Sequence, residues 1–406
     1  VKKNTPLSLI FITVFIDLLG FGILIPILPT FATKQLGVDE TAIGIAIAAY
    51  SLTQFFFNSI FGGLSDKYGR KPVIVVTLLL NAAGYIIFAF TETYLVLLIS
   101  RIIAGIGGSS IGVAQAYIAD VTPKEKRAKG MGLIGAAFGL GFVFGPMIGG
   151  YLAKYGYMIT GFGSASFSII AFMLTLFFLP ESNVNREYAR IRKRKLLDFD
   201  GLRKIFKKPD LSLLITLFFI LTFSVANIYG TFALLGYKVY HFTDLENGYM
   251  YGIVGLSSAL VQGSLLHLVT RLISEIKLIV FGAFFMMIGL AFIPYCGTFA
   301  GLAVDAVILS IGTGTLQPTI LSLISEVTSE TEQGITLGIN QSLSAFGRVL
   351  GPLWGGFAFE FIGYPFPFLT GALFTLIILL VGIFYLPKVV QPMNKNALSA
   401  ILNDKR

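Results

Sequence analysis

Twelve apolar runs decide what this 406-residue chain can become. In lipid a segment must satisfy its own backbone hydrogen bonds, so runs of this length are read as spanning helices and the chain as an all-α membrane protein. The runs fall at roughly 7–30, 41–62, 73–91, 94–117, 130–153 and 160–180, then at roughly 211–235, 246–268, 277–296, 298–322, 334–360 and 364–387. Charged residues are only 13% of the chain, against about a quarter in soluble domains. The 38 Phe and 45 Gly suit helices that face lipid and pack closely on one another. A net charge of +9 does not point to nucleic acid, because the cations sit in short loops rather than on one face. The single cysteine, Cys296, excludes an intrachain disulfide framework and a CxxC metal site. Val1-Lys2-Lys3 and the run after it mimic a signal peptide. The length of that run, its lack of a small-residue cleavage site and Asp17 predict a retained first span.

An even number of spans puts both termini on one side. The loops and tails of that side hold 25 of the Lys and Arg residues. The opposite loops hold Lys34, Lys154 and Lys238, and Arg101 and Arg348 fall inside spans. This bias predicts a cell (inner or plasma) membrane protein with both termini in the cytoplasm. The stretch 181–210 carries ten cations, among them Arg190, Arg192, Lys193, Arg194 and Lys195. It reads as a solvated connection that helps fix topology, or as a contact for anionic head groups. Gly132, Gly141, Gly145-Pro146 and Gly149-Gly150 recur 206 residues later as Gly338, Gly347, Gly351-Pro352 and Gly355-Gly356. Asp120-Val121-Thr122 recurs at the same interval as Glu326-Val327-Thr328. The chain is therefore expected to hold two parallel repeats with a substrate path between them. The expected organisation is a six-helix bundle over 1–180, a basic linker over 181–210, a second bundle over 211–390 and a tail over 391–406.

Gly62-Gly63-Leu64-Ser65-Asp66-Lys67-Tyr68-Gly69-Arg70-Lys71-Pro72 is a tight polar loop between the second and third runs. It resembles the loop between helices 2 and 3 of the major facilitator superfamily. Four further stretches resemble its twelve-span drug:proton antiporters, in the tetracycline-efflux-like branch. They are Asp17 to Pro29 in the first run, Arg101-Ile102-Ile103-Ala104-Gly105 in the fourth, Gly135 to Gly150 in the fifth, and Gly347-Arg348-Val349-Leu350-Gly351-Pro352 in the eleventh. Two departures stand out. The second copy of the loop has decayed to 270–277, with Arg271 where the first has Asp66. Some tetracycline exporters carry an acidic residue in helix 9, whereas 278–295 has none and Asp305 is the nearest candidate. The resemblance implies two pseudo-symmetric six-helix bundles, alternating access, and no cofactor beyond the proton as coupling ion.

Individual residues fit that implication. Asp17 lies about ten residues into its run, roughly 15 Å deep. An intramembrane carboxylate is costly and marks function by default. Burial favours a neutral carboxyl and a nearby cation favours a charged one, so a carboxylate between those pulls can load and lose a proton. The competing reading is a static, hydrogen-bonded aspartate. Arg101, about six residues into its run from the opposite side, is expected to approach the depth of Asp17, to bias its proton affinity or bind an anionic part of the substrate, or else to make a structural pair or snorkel to the outer interface. Gly63, Asp66, Gly69, Arg70, Asp120 and Arg127 are the expected gating set, in a charge network with the cytoplasmic end of a second-half helix. Gly135, Gly139, Gly145, Pro146, Gly149 and Gly150 form the antiporter motif, where absent side chains let another helix approach and Pro146 bends the helix. Polar residues within spans suggest a cavity: Gln54, Asn58, Gln115, Asn227, Gln262, Gln317, Asn340, Gln341 and Arg348, with Asn81 beside them. A pocket of aromatic and a few polar groups suits amphiphilic ligands.

The expected protein is a monomeric secondary transporter in contact with membrane lipid, exporting small amphiphilic compounds in exchange for protons. A lipid, glycolipid or metabolite transporter on the same fold is the alternative. No HExxH, GxSxG or Walker A sequence occurs, which speaks against an enzyme and a self-contained ATP-driven pump.

Overall fold

The computed structural model describes residues 5–123, 127–183, 203, 205–269, 273–329 and 332–388. Helices stand at all twelve expected places. In the first half these are α1 (Thr5–Leu36), α2 (Glu40–Tyr68), α3 (Arg70–Ala89), α4 (Tyr94–Val121), α5 (Arg127–Ala153) and α6 (Tyr157–Phe178). In the second half they are α7 (Pro209–Lys238), α8 (Asp244–Leu260), α9 (Glu275–Phe292), α10 (Phe299–Glu326), α11 (Gln333–Phe361) and α12 (Phe366–Phe384). Ten are long and apolar enough to cross a membrane. The other two are α8, which runs on through a π-turn at Val261–Leu265, and α11, which carries several polar side chains. Most of the basic linker (184–202 and 204), Arg271 and the tail from 389 lie outside the described residues.

Local chemistry sets the helix ends. Asp39 caps α2 by accepting from Ala42 N at 2.7 Å, and Thr298 caps α10 by accepting from Gly301 N at 3.1 Å. Gly69 alone separates α2 from α3, with φ of 106°. That conformation strains any residue with a Cβ. Its end of the first bundle is called the loop face below, and the end bearing Leu36 and Asp39 the far face.

The described chain forms two compact units. One comprises Val1–Leu196, Ile228–Leu256 and Pro352–Tyr364; the other comprises Leu197–Asn227, Ser257–Gly351 and Pro365–Arg406. In the first unit, the far-face segments of α7, α8 and α11 pack directly on the first six helices. Small residues make this possible. A Cβ on Gly248 of α8 would collide with the carbonyl oxygen of Pro146 on α5, and one on Gly44 of α2 would collide with that of Pro352 on α11. These contacts are reciprocal: α5 meets α8 as α11 meets α2, as a two-fold relation between repeats requires. Within the bundle Gly141, Gly145 and Gly149 form a row facing α1 at Leu18, Gly22 and Ile23.

Gly135 corrects one expectation. A Cβ there would meet nothing within 4 Å. Six residues before Gly141, it lies about 240° around the helix and on a different face. Gly248→Val is expected to prevent closure at the far face. Engineered cysteines at Lys34 and Asp244, which meet at this face, would then lose cross-linking by a short bifunctional thiol reagent, whereas retained cross-linking would contradict the contact.

In the second unit, Gly347 and Gly351 of α11 seat against α7 at Thr222, Phe223, Ala226 and Asn227. Gly289 and Gly312 bring α9 and α10 together. Close backbone approach of this kind gains dispersion contact where burial from water supplies no drive.

Candidate functional site

Asp17 lies twelve residues into α1 and is 5% exposed. Three helices supply its hydrogen bonds. Asn81 Nδ2 of α3 donates to both carboxylate oxygens at 3.0 and 3.1 Å. Ser110 Oγ of α4 donates to Oδ2 at 3.0 Å, and Ser168 Oγ of α6 to Oδ1 at 2.9 Å. Small residues bring these helices in. Gly107 lies against the backbone of Asn81, and Gly20 against the Ser164 carbonyl oxygen, Ser168 Oγ and Tyr85. Several donors at one carboxylate offset its transfer out of water. Protonation would force one hydroxyl or amide to turn, so this shell responds to the charge of Asp17.

Arg101 is 3% exposed on α4. Among the described residues no ion pair joins it to Asp17. Its guanidinium carbon instead lies 5.9 Å from the Tyr85 ring centre and 5.5 Å from that of Phe88, and Nε donates to Ser100 Oγ at 3.3 Å. Tyr85 and Phe88 lie one and two turns beyond Asn81 on α3, so Arg101 is displaced from Asp17 toward the far face. Gly105, the glycine of R-x-x-x-G, lies against Tyr50 and Thr53 and seats α4 on α2.

At the far face two ion pairs link the sequence halves within the first unit. Lys34 of α1 meets Asp244 of α8 at 3.1 Å, and Tyr157 donates to the same carboxylate at 2.9 Å. Lys238 of α7 pairs with Glu40 of α2. The pairs repeat the reciprocity of the glycines: a lysine ending the first helix of one half meets an acid opening the second helix of the other. Glu360 of α11 also accepts from Thr41 N at 3.0 Å.

The loop-face network centres on Arg70. Arg70 pairs with Asp66 at 2.5 Å and Asp120 at 2.9 Å, and donates to Ser65 Oγ at 2.6 Å. The remaining partners come from the segment after α6. Glu181 accepts from Arg70 N at 2.8 Å and Lys71 N at 3.2 Å, capping α3 in place of its Gly69 N-cap. Ser182 donates to Asp120 and Asn183 Nδ2 to the Asp66 carbonyl. Among the described residues, these partners come from first-half elements. Gly63 is exposed with open space around it, and the Arg127 side chain lies outside the described residues. Glu181→Ala is expected to cost about 1–2 kcal/mol, as loss of a helix cap does. The check is an earlier melt of purified protein by intrinsic fluorescence.

The expected cavity residues divide. Gln115, Gln262, Gln317 and Gln341 are exposed, Gln262 within the π-turn of α8, and Arg348 is half-buried. Gln54 donates to the Gly108 carbonyl at 2.9 Å, so it bridges α2 and α4. Asn58 lies beside Gly112. Asn227 is buried and donates to the Pro367 carbonyl, tying α7 to α12. Asn340 and Asp305 are buried in α11 and α10. Gly139 is half-buried, while Gly150 lies against Asp244 and Leu245. Sequence reasoning missed Ser110, Ser168 and Glu181 as partners. Serine is common in membrane helices, so nothing in its spacing distinguished these two. Glu181 did have a signal, an acid directly after Pro180 where an apolar run ends.

Comparison with known proteins extends this geometry. The model of the Major Facilitator Superfamily matches residues 10–309 and 267–401. Multidrug resistance protein 1 of Bacillus subtilis (strain 168) is 31% identical over 372 residues, covering 91% of this chain and 94% of the relative. The class E tetracycline resistance protein of Escherichia coli is 28% identical over 402 residues, covering 97% and 98%. Among solved structures, the human organic anion transporter MFSD10 (TETRAN) superposes with a TM-score of 0.69 at 23% identity, covering 94% of this chain and 100% of that one. The nucleoside transporter NupG gives 0.76 at 15% identity, covering 93% and 98%. At these identities the two structures speak for the fold alone.

Proposed function

This chain belongs to the Major Facilitator Superfamily, and from that premise we propose that it exports small amphiphilic drugs in exchange for protons by alternating access. It is a multi-pass membrane transporter. Its curated relatives include a multidrug resistance protein and a tetracycline resistance protein, which supports a drug substrate over a lipid or metabolite.

The observation that carries the coupling role is Asp17, a carboxylate inside a spanning helix and held by three side chains from three other helices. Such a group marks an ion pathway by default. A proton on Asp17 removes the charge its donors face and changes what α3, α4 and α6 hold in common. Arg101 supplies a fixed positive charge nearby, and the proton is the only coupling species. The far-face pairs and the reciprocal glycine contacts act as one gate, and the Asp66–Arg70–Asp120 network keeps the first six helices rigid at the loop face. With both termini in the cytoplasm of a plasma or inner membrane, the far face is the outer face. The protein works as a monomer.

The direct test is counterflow in proteoliposomes. An imposed proton gradient should drive a fluorescent amphiphilic cation uphill, and drug gradients should drive protons. Drug movement that ignores the proton gradient would refute the antiport.

A further inference from the structure

Four buried polar atoms near Asp17 have no protein partner among the described residues: Asn81 Oδ1, Tyr85 OH, Ser164 Oγ and Arg101 Nη2. Their residues are 3% exposed or less. They are also ordered in space. Asn81 and Tyr85 lie one turn apart on α3, and Ser168 and Ser164 lie one turn apart on α6. The two helices run antiparallel, so both steps lead from the Asp17 shell toward the far face. Gly20, one turn beyond Asp17, adjoins the Ser164 backbone, Ser168 Oγ and Tyr85 together. Arg101 lies next to the Tyr85 ring. Buried polar groups are almost always hydrogen-bonded, and internal water, making about three bonds, is the usual partner where protein supplies none.

We propose that Tyr85 and Ser164, with ordered internal water, form a buried bridge between Asp17 and Arg101 inside the first six helices. The inference rests on the coupling role given above to Asp17. Tyr85 and Ser164 are positioning residues: they hold water that donates toward the ionised carboxylate and is itself ordered by the guanidinium. When Asp17 takes a proton, the bridge loses its acceptor, and Arg101 is released from that constraint. The bridge would link two groups that no direct ion pair joins among the described residues. Among the described residues, the ionisable side chains acting on Tyr85 are Tyr50 on α2, Asp17 on α1 and Arg101 on α4. Beyond Lys129, α5 has no charged residue, and α6 has none.

The test is drug-induced proton release from purified, detergent-solubilised protein, followed across pH. Tyr85→Phe and Ser164→Ala keep the side-chain bulk. Each should move the half-maximal pH of release upward by about half a unit or more, roughly threefold in proton affinity, because the ionised form loses support. Drug affinity measured well above that pH, where Asp17 is ionised in parent and variants alike, should stay within about twofold of the parent protein. Parent profiles in both variants would overturn the bridge, as would weakened drug binding without a shifted profile. If Asp17→Asn still releases protons, the coupling role itself fails, which is a separate result. Infrared difference spectra of the parent protein give a second readout that needs no variant. A water band sensitive to H2 18O should accompany deprotonation, and its absence would overturn the proposal.

Discussion

Asp17→Asn is expected to reduce proton-driven efflux in proteoliposomes to the level of empty vesicles, while drug binding and drug–drug exchange persist. Asparagine keeps the size and one oxygen acceptor, so Ser168 or Ser110 retains a partner and the four helices remain packed. What is lost is the only group in the shell that can carry a proton away. The reverse design is informative. Asn81→Ala and Ser110→Ala remove donors and leave the carboxylate, so they should weaken coupling without abolishing it. A neutral hydrogen bond contributes about 1 kcal/mol net and a bond to a charged group about 1.5–3. Each variant should therefore change proton affinity by about tenfold or more. Full proton-driven transport by Asp17→Asn would remove the carboxylate from the mechanism.

The second large effect is expected at the far face. Lys34→Ala with Lys238→Ala breaks both ion pairs that join the sequence halves there. Both pairs are partly exposed and worth about 1 kcal/mol each. Losing both, about 2 kcal/mol, shifts a two-state balance roughly 30-fold away from the closed far face. Spin labels at Val38 and Thr243, with Cys296→Ser as background, would report this as a longer distance population. Exchanging charges at one pair, Lys34→Glu with Asp244→Lys, should restore the short distance. An unchanged distribution in the double alanine variant would show that the glycine contacts alone hold this face. High salt should mimic part of the effect, since exposed pairs are screened.

Much of this was legible from one-dimensional pattern. Twelve apolar runs gave twelve helices, and the 206-residue interval relates Pro146 to Pro352, whereas their contact partners Gly248 and Gly44 had no such signal in the sequence. Asp17 stood out because a carboxylate in an apolar run has few structural uses. Its shell did not stand out, because Ser110 and Ser168 look like any small polar residue until three helices converge. Arg101 was conspicuous for the same reason as Asp17. Its displacement toward Tyr85 and Phe88 depends on how α4 slides along α3, which Gly84, Ala104 and Gly107 set.

Hydropathy, periodicity and charge bias are properties of neighbours along a chain, and they determined the membrane environment, the helix count, the repeat and a charged residue worth suspecting. Only the tertiary structure decided which charges meet. Lys34 and Asp244 are 210 residues apart, and Lys238 and Glu40 198 apart. No local signal encodes such a pairing, because it arises when glycines on α2, α5, α8 and α11 let four helices cross closely at one face. The same holds for Asp17: sequence supplied the carboxylate, and helix packing supplied the donors that make its proton matter.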